Sequence, residues 1–325
     1  MTALNLKLAN IRAGRYTPKD FIIADAKDGD MGFGRTAPGP DLTSNRLKTR
    51  AQYLQAMEEM CDSGAIDILL CSASTCEILT RRGVFERSGV TPAIRLNDST
   101  CIWSHRGGTY RNHPSRPFRT VEIERARPFA DLGLYSITPS NDVERDLETL
   151  QAYRDFRREA AQYGMRHFLE VFNPAFDIGL ADGVEIGAFM NDYIVRTLAG
   201  VTSVDYPLFL KAVYNGPAAL EELASYDPER LIVGILGGGK GTTRDTFELV
   251  FQTQKYGGRV ALFGRKINLA VAPVPLVRLM REVVAGTIDT REAVAAYHGE
   301  IQKLGLRPDR PLEDDQVITE AVLKN

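Results

Sequence analysis

The stretch Leu231-Ile232-Val233-Gly234-Ile235-Leu236-Gly237-Gly238-Gly239-Lys240-Gly241-Thr242-Thr243 joins an apolar run, a run of glycines and the start of a helical pattern. A nearly continuous apolar run predicts a strand that is covered on both faces, as in a parallel sheet. Helical periodicity follows at Thr243–Tyr256. The stretch therefore predicts one strand–turn–helix unit, and the fold depends on how often this unit recurs.

Seven further short apolar runs have the same character, namely Phe21–Asp25, Ile66–Ser72, Pro92–Asn97, Leu134–Thr138, His167–Phe172, Pro207–Val213 and Arg259–Phe263. Helical periodicity lies between most of them, for example at Thr49–Ser63, Asp142–Tyr163, Gly183–Ala199 and Pro217–Ser225. Strands that alternate with helices predict a parallel α/β sheet. Eight such units in 325 residues favour a closed (β/α)8 TIM barrel over an open, doubly wound sheet.

Two regions depart from the repeating unit. Asp98–Pro128 follows the third predicted strand and is rich in Arg, Gly and Pro. In a barrel it would emerge on the catalytic face, either as a lid, as an anion-contacting loop or as a plain solvated loop. After Phe263 the pattern predicts two more helices, at Pro273–Ala285 and Thr290–Leu304.

We therefore expect a single barrel domain over residues 1–325, with its core at about 20–285 and a C-terminal helical extension at 286–325. Helices added after a barrel often build subunit contacts, so a homo-oligomer is expected.

Composition excludes several classes of protein. The chain is 44% hydrophobic, which is enough to bury a large core and excludes a disordered chain. Its formal net charge is −2, so no global field favours nucleic acid or an anionic membrane. No apolar run reaches the roughly 18 residues of a membrane span, and the first residues lack a signal-peptide pattern. We expect a cytoplasmic protein with neither of these partners.

Metal and disulfide chemistry find little support in the sequence. The four cysteines form no CxxC pair, and no histidine lies at zinc-finger spacing. We expect free thiols in a reducing compartment, no metal and no cofactor.

The strongest local signal is Lys211, a single lysine inside the apolar run Leu208–Tyr214. Desolvation disfavours an ammonium group, and a neutral amine can attack a carbonyl carbon to form a Schiff base. A neighbouring carboxylate, Glu170 or Asp25, could then carry protons. The alternative is a lysine that forms a structural ion pair with Glu170, or one that reaches to the end of the strand.

The glycines after the seventh and eighth runs give a second signal. Gly237, Gly238, Gly239 and Gly264 fall where barrel enzymes often hold a phosphate, because backbone N–H groups can approach an anion closely there. The alternative is two ordinary turns. The segment Gly234–Thr243 is nearly a P-loop, but Gly241 stands where Ser or Thr would bind magnesium, so nucleotide hydrolysis is disfavoured.

Taken in order, these pieces resemble the class I aldolase superfamily of deoxyribose-phosphate, tagatose-bisphosphate and archaeal-type fructose-bisphosphate aldolases. The resemblance spans about residues 20–285 and is carried by Asp25, Asn97-Asp98-Ser99-Thr100, Glu170, Leu210-Lys211, Gly237-Gly238-Gly239-Lys240 and Gly264-Arg265-Lys266-Ile267. It implies a TIM barrel and a metal-free Schiff-base aldolase, a carbon–carbon lyase of carbohydrate metabolism that acts on a phosphorylated ketose.

The resemblance also implies roles for single residues. Lys211 would form the iminium, Asp25 would assist proton transfer, and Glu170 would take the hydroxyl proton during cleavage. Gly237, Gly238, Gly239, Gly264 and Arg265 would cradle the phosphate, with positive charge added by Lys240. Asn97 would also contact the substrate.

The chain departs from the family at two places. The strand Leu134–Thr138 lacks the lysine of the tagatose-type enzymes, so either Lys27 replaces it or no second anion binds there. Asp25-Ala26-Lys27-Asp28 also replaces the Asp-His-Gly of the archaeal-type enzymes. Two alternative functions stay open. One is a sugar-phosphate isomerase or acyltransferase-type barrel without a Schiff base, and the other is a non-catalytic sugar-phosphate-binding barrel.

Overall fold

The protein is described by a computed structural model that covers residues 2–42, 44 and 46–324. Its eight main strands, numbered β1 to β8 in chain order, are Ile22–Ala26, Ile68–Cys71, Thr91–Arg95, Leu132–Ile137, Arg166–Val171, Leu210–Ala212, Gly234–Leu236 and Val260–Phe263. Each strand pairs in parallel with the next, and β8 pairs with β1 to close the barrel. The predicted (β/α)8 barrel is confirmed, with every predicted strand within a few residues of its expected bounds.

Helices α1 to α14 of the described residues are Ala3–Arg12, Asp30–Phe33, Arg50–Asp62, Ala73–Arg81, Val84–Ser88, Ile123–Ala126, Val143–Gln162, Ile186–Ala199, Pro217–Tyr226, Thr243–Lys255, Arg265–Asn268, Pro273–Ala285, Thr290–Lys303 and Leu312–Asp315. Local sequence fixes where several of them begin. The Thr242 hydroxyl accepts from the Asp245 N–H while the Asp245 carboxylate accepts from the Thr242 N–H, a capping box that starts α10. No helix of the described residues is long and apolar enough to cross a membrane.

Alternation along the strands separates the inside of the barrel from the outside. Side chains such as Ile22, Ala24, Leu70 and Phe168 form one buried cluster inside the barrel, and Leu4, Leu8 and Ile11 of α1 belong to the same cluster. The N-terminal helix, which the sequence analysis did not predict, therefore packs across the N-terminal end of the barrel. Its Lys7 Nζ donates to the backbone oxygen of Phe21 and pairs with Asp67, just before β1 and β2.

The C-terminal extension packs against the outer helices of the barrel. Helix α13 contacts α10 and α12. The tail beyond it reaches the loops after β7 and β8, since Glu320 forms an ion pair of 2.6 Å with the buried Lys266. The Asp245 carboxylate accepts from the backbone N–H groups of Thr319 and Glu320. The tail thereby fastens the start of α10.

Residues 98–128, the excursion after β3, have a defined conformation. Asp98–Ser99 and Pro117–Phe118 form a small antiparallel pair. The Trp103 ring packs edge-on against Phe118, with ring centroids 4.6 Å apart, and against Tyr110 at 5.1 Å. The Ser104 N–H donates to the Gly32 oxygen, so the excursion is tied to the short helix α2 that follows β1.

Candidate active site

A cavity of about 410 Å3 lies at the C-terminal ends of the strands. In barrel enzymes this end holds the active site. Its polar and charged lining consists of Asp28, Tyr53, Arg95, Cys101, Ser104, Arg111, Glu170, Asn173, Lys211, Arg265 and Asn268. Within the described ranges, no group of three His, Cys, Asp or Glu side chains is arranged to hold a metal ion.

Lys211 and Glu170 meet inside this cavity. The two residues are register partners on β6 and β5, and the Lys211 Nζ lies 2.6 Å from Glu170 Oε1. Only 5% of Lys211 and 1% of Glu170 are exposed. A charged pair so deeply buried is costly unless its members are fully partnered or used in chemistry.

Arg95 on β3 extends this pair into a network. Its Nη1 lies 2.7 Å from Asp28 Oδ2 and 3.2 Å from the second oxygen of Glu170. Its Nη2 donates to the Ser136 hydroxyl at 2.9 Å, and its Nε donates to the Asn97 carbonyl at 3.0 Å. The guanidinium therefore occupies the space beside Ser136 on β4.

Electrostatics favour the charged forms of Arg95 and Asp28. Burial alone would lower the pKa of Arg95, but the carboxylates of Glu170, Asp28 and Asp98 raise it above its ordinary value. Burial would raise the pKa of Asp28, yet Arg95 and Lys211 hold it below its usual range. Asp98 lies farther away, 3.8 Å from Arg95 Nε, and burial raises its pKa to about 6.

The structure corrects the expected position of Asp25. Ala24 and Ala26 belong to the cluster inside the barrel, and side chains alternate between the two faces of a strand. Asp25, which lies between them, therefore points outward. It forms a fully buried ion pair with Lys27 at 3.2 Å, and burial raises the pKa of Asp25 although Lys27 opposes the shift. Neither residue lines the cavity; Asp28 does.

Three further candidates lie outside the cavity lining. Asn97 is buried between β3 and β4, where its Oδ1 accepts from the Ser136 N–H at 2.6 Å, so it serves the sheet. Lys240 forms an ion pair with Asp309 of the C-terminal segment, and Gly239 faces open space.

The other predicted glycines and Arg265 do line the cavity. A Cβ on Gly237 would lie 3.1 Å from the Phe263 side chain, and Gly238 has φ +66°, a conformation that favours glycine. The Arg265 guanidinium lies over the Phe33 ring, 5.4 Å from its centroid. Gly264 lies directly after β8 in the same lining.

Searches of the sequence against protein-family models and against curated proteins find no match. Solved structures do match. A Schiff-base-forming fructose-1,6-bisphosphate aldolase is 17% identical with a TM-score of 0.63, over 86% of this chain and 99% of that chain. The fructose-bisphosphate aldolase from Slackia heliotrinireducens is 14% identical with a TM-score of 0.62, over 91% of this chain and 90% of that one.

This chain shares the (β/α)8 barrel fold of these two aldolases. A third similar structure is an archaeal fructose-1,6-bisphosphate aldolase with its catalytic Lys covalently bound to the carbinolamine intermediate. It is 17% identical to this chain with a TM-score of 0.63, over 87% of this chain and 100% of that chain. At these identities the likeness establishes the (β/α)8 barrel fold, which is the fold that the sequence analysis predicted.

The sequence analysis gave no site role to three charged side chains of this cavity, namely Asp28, Arg95 and Arg111. Arg95 stands inside the apolar run Pro92–Asn97, so the argument that singled out Lys211 applies to it equally. Arg111 lies in the excursion after β3, where several arginines alternate with Gly and Pro and nothing local distinguishes it.

Proposed function

We propose that this protein is a class I aldolase, a carbon–carbon lyase that cleaves or forms a bond in a phosphorylated ketose or related keto-sugar. One observation carries the proposal. The amine of Lys211 lies in a cavity 2.6 Å from the Glu170 carboxylate, and the same cavity reaches the glycine turns and Arg265. The solved aldolase with a lysine bound to its carbinolamine is an example of this chemistry on the same fold.

In the first stage Lys211 becomes the nucleophile. Its ammonium group passes a proton to Glu170, and the free amine attacks the ketone carbon, forming a C–N bond while the carbonyl electron pair moves to oxygen. The oxygen gains two protons and leaves as water. The product is a positively charged iminium, beside a Glu170 that is again ionised.

In the second stage the iminium accepts the electrons of the breaking carbon–carbon bond. Glu170 takes the proton of the hydroxyl on the departing carbon, which leaves as an aldehyde, and the bonding pair becomes the enamine double bond. Return of a proton to the enamine carbon and addition of water release the ketone and restore the Lys211 ammonium. Every proton lost at one step is regained at another.

Asp28 and Arg95 stabilise the charges of this cycle. Burial would raise the pKa of Asp28, but the charges of Arg95 and Lys211 lower it below its usual range. Asp28 therefore stays ionised, and its negative charge offsets the cationic iminium. This is the place that the sequence analysis gave to Asp25. Arg95 holds both carboxylates, so it orients Glu170 toward Lys211.

Borohydride trapping tests the proposal. Dihydroxyacetone phosphate with borohydride should add the mass of a reduced imine to one peptide, the one that contains Lys211. Lys211→Met should abolish the label and turnover. Lys7→Met, which removes another ion-paired lysine at the opposite end of the barrel, should leave both unchanged. Turnover that survives Lys211→Met would remove the Schiff-base role.

A non-covalent isomerase or acyl-transfer enzyme is the second candidate. The ion pair between Lys211 and Glu170 favours it, because an ion-paired ammonium group is a cation rather than a nucleophile. Turnover of a sugar phosphate without any trapped adduct would support this candidate.

A further inference from the structure

We propose that Arg111 and Arg265 together form one anion subsite, and that the substrate therefore carries a single phosphate rather than two. This inference rests on the proposed function and deepens it. It concerns the charge on the substrate, and it assigns Arg111, in the excursion after β3, a direct binding role.

The charges that line the cavity divide into two groups. Four cationic side chains line it: Arg95, Arg111, Lys211 and Arg265. Arg95 and Lys211 are neutralised by the carboxylates of Asp28 and Glu170. Within the described residues, no carboxylate lies at ion-pair distance from Arg111 or Arg265. The unbalanced positive charge is therefore confined to these two arginines.

Arg111 and Arg265 line the same cavity and carry like charges. Burial lowers the pKa of Arg265, and the positive charge of Arg111 lowers it further, as expected for two cations that repel. A phosphate between them would relieve the repulsion and accept charge-assisted hydrogen bonds from both. The glycines at positions 237, 238 and 264, in the same lining, leave room for an anion beside the backbone.

Ring packing orders the chain next to Arg111, whose own side chain is exposed. Tyr110, directly before it, packs against Trp103 and against His105, whose ring centroid is 5.6 Å away. Trp103 in turn packs on Phe118. The subsite therefore depends on an ordered aromatic cluster rather than on a loose loop.

Among the described residues, the rest of the lining presents no further cationic side chain that could pair with a second phosphate. The segment after β5 contributes Phe172, Asn173, Pro174 and Ala175, none of which is charged. The Asn173 amide is paired with Asn215 at 2.7 Å. Lys27 and Lys240, the two other cations considered for anion binding, are ion-paired outside the cavity.

Binding of inorganic phosphate by calorimetry tests the subsite without any need for turnover. We expect one phosphate per chain, and about tenfold weaker binding in Arg111→Ala and in Arg265→Ala. Arg106→Ala removes an exposed arginine of the same excursion that does not line the cavity, and it should bind phosphate like the unchanged protein. Equal weakening in Arg106→Ala and Arg111→Ala, or no weakening in Arg111→Ala, would overturn the subsite.

Trapping with matched ketoses tests the charge of the substrate. Fructose 1-phosphate should label Lys211 at least as efficiently as fructose 1,6-bisphosphate. A tenfold or greater preference for the bisphosphate would refute the single-phosphate inference while leaving the aldolase proposal intact. If phosphate binds as expected but no carbonyl compound labels Lys211, the aldolase proposal fails and the anion subsite stands.

Discussion

Glu170 and Lys211 are directly opposite each other on neighbouring parallel strands, with 2.6 Å between carboxylate oxygen and amine nitrogen. Strand pairing brings the two side chains together, because side chains at register positions on adjacent strands share one face. The pair therefore needs no movement of loops to pass a proton between its members.

Replacing Glu170 with glutamine keeps the shape of the side chain and removes its ability to accept a proton. We expect the rate of borohydride-dependent labelling of Lys211 to fall about a hundredfold to ten-thousandfold. The measurement is the labelled fraction against time by mass spectrometry. Glu248→Gln, which removes another buried, ion-paired carboxylate outside the cavity, should keep the original rate. Unchanged labelling in Glu170→Gln would exclude Glu170 as the proton carrier.

Replacing Arg95 with methionine leaves two buried carboxylates without their shared cation. We expect a loss of about 3–5 kcal/mol in the free energy of unfolding, measured by urea denaturation. Arg95→Met combined with Asp28→Asn should lose less than the sum of the two single variants, because neutralising Asp28 removes part of the uncompensated charge. Simple additivity would show that Arg95 and Asp28 are not coupled.

Asp98 gives a stability effect with a defined pH dependence. Burial raises its pKa to about 6 in the folded chain, above an unfolded value near 3.8. The folded state then binds a proton more tightly, so the carboxyl group's contribution to stability is complete below about pH 4 and is lost as the pH rises through 6. Relative to the unchanged protein, Asp98→Asn should become more stable between pH 4 and pH 7, by at most about 3 kcal/mol.

The measurement is the difference in unfolding free energy between Asp98→Asn and the unchanged protein at each pH. Taking this difference cancels other titrating groups that the substitution does not affect. A difference that stays constant from pH 4 to pH 7, or that falls, would contradict the raised pKa.

Gly238→Ala separates backbone strain from anion binding. Its φ of +66° costs an alanine about 1–2 kcal/mol, and its cavity position predicts weaker phosphate binding as well. Gly286→Ala, with φ +73° and equally open surroundings at the end of α12, should lose similar stability without any change in phosphate affinity. Equal phosphate affinity in both variants would remove Gly238 from the anion site.

Much of the barrel could be predicted because strands buried on both faces appear as short apolar runs. The same apolar runs made Lys211 and Glu170 easy to identify in the sequence, since an ionisable residue is conspicuous among Leu, Phe and Val. Arg95 carried an equal signal, and reading every charged residue inside the apolar runs would have found it.

The remaining site could not be predicted for physical reasons. Asp25, Lys27 and Asp28 all follow one apolar run, and continuous apolarity hides which positions face inward; a shift of one residue exchanges the two faces. Lys240 is neutralised by Asp309, 69 positions later in the chain, a contact that only the folded tail creates. Arg111 depends in the same way on the packing of Trp103 and Tyr110.

Helix α1 covers the N-terminal end of the barrel, because its Leu4, Leu8 and Ile11 belong to the cluster of side chains that fills the barrel. Condensation of an amine with a ketone expels a water molecule, and hydrolysis of the imine consumes one. In the proposed reaction, both water molecules and the sugar reach Lys211 from the C-terminal ends of the strands, where the cavity lies. Hydration of the proposed intermediate and passage of the sugar therefore take place at the same end of the barrel, so a ligand bound there delays both.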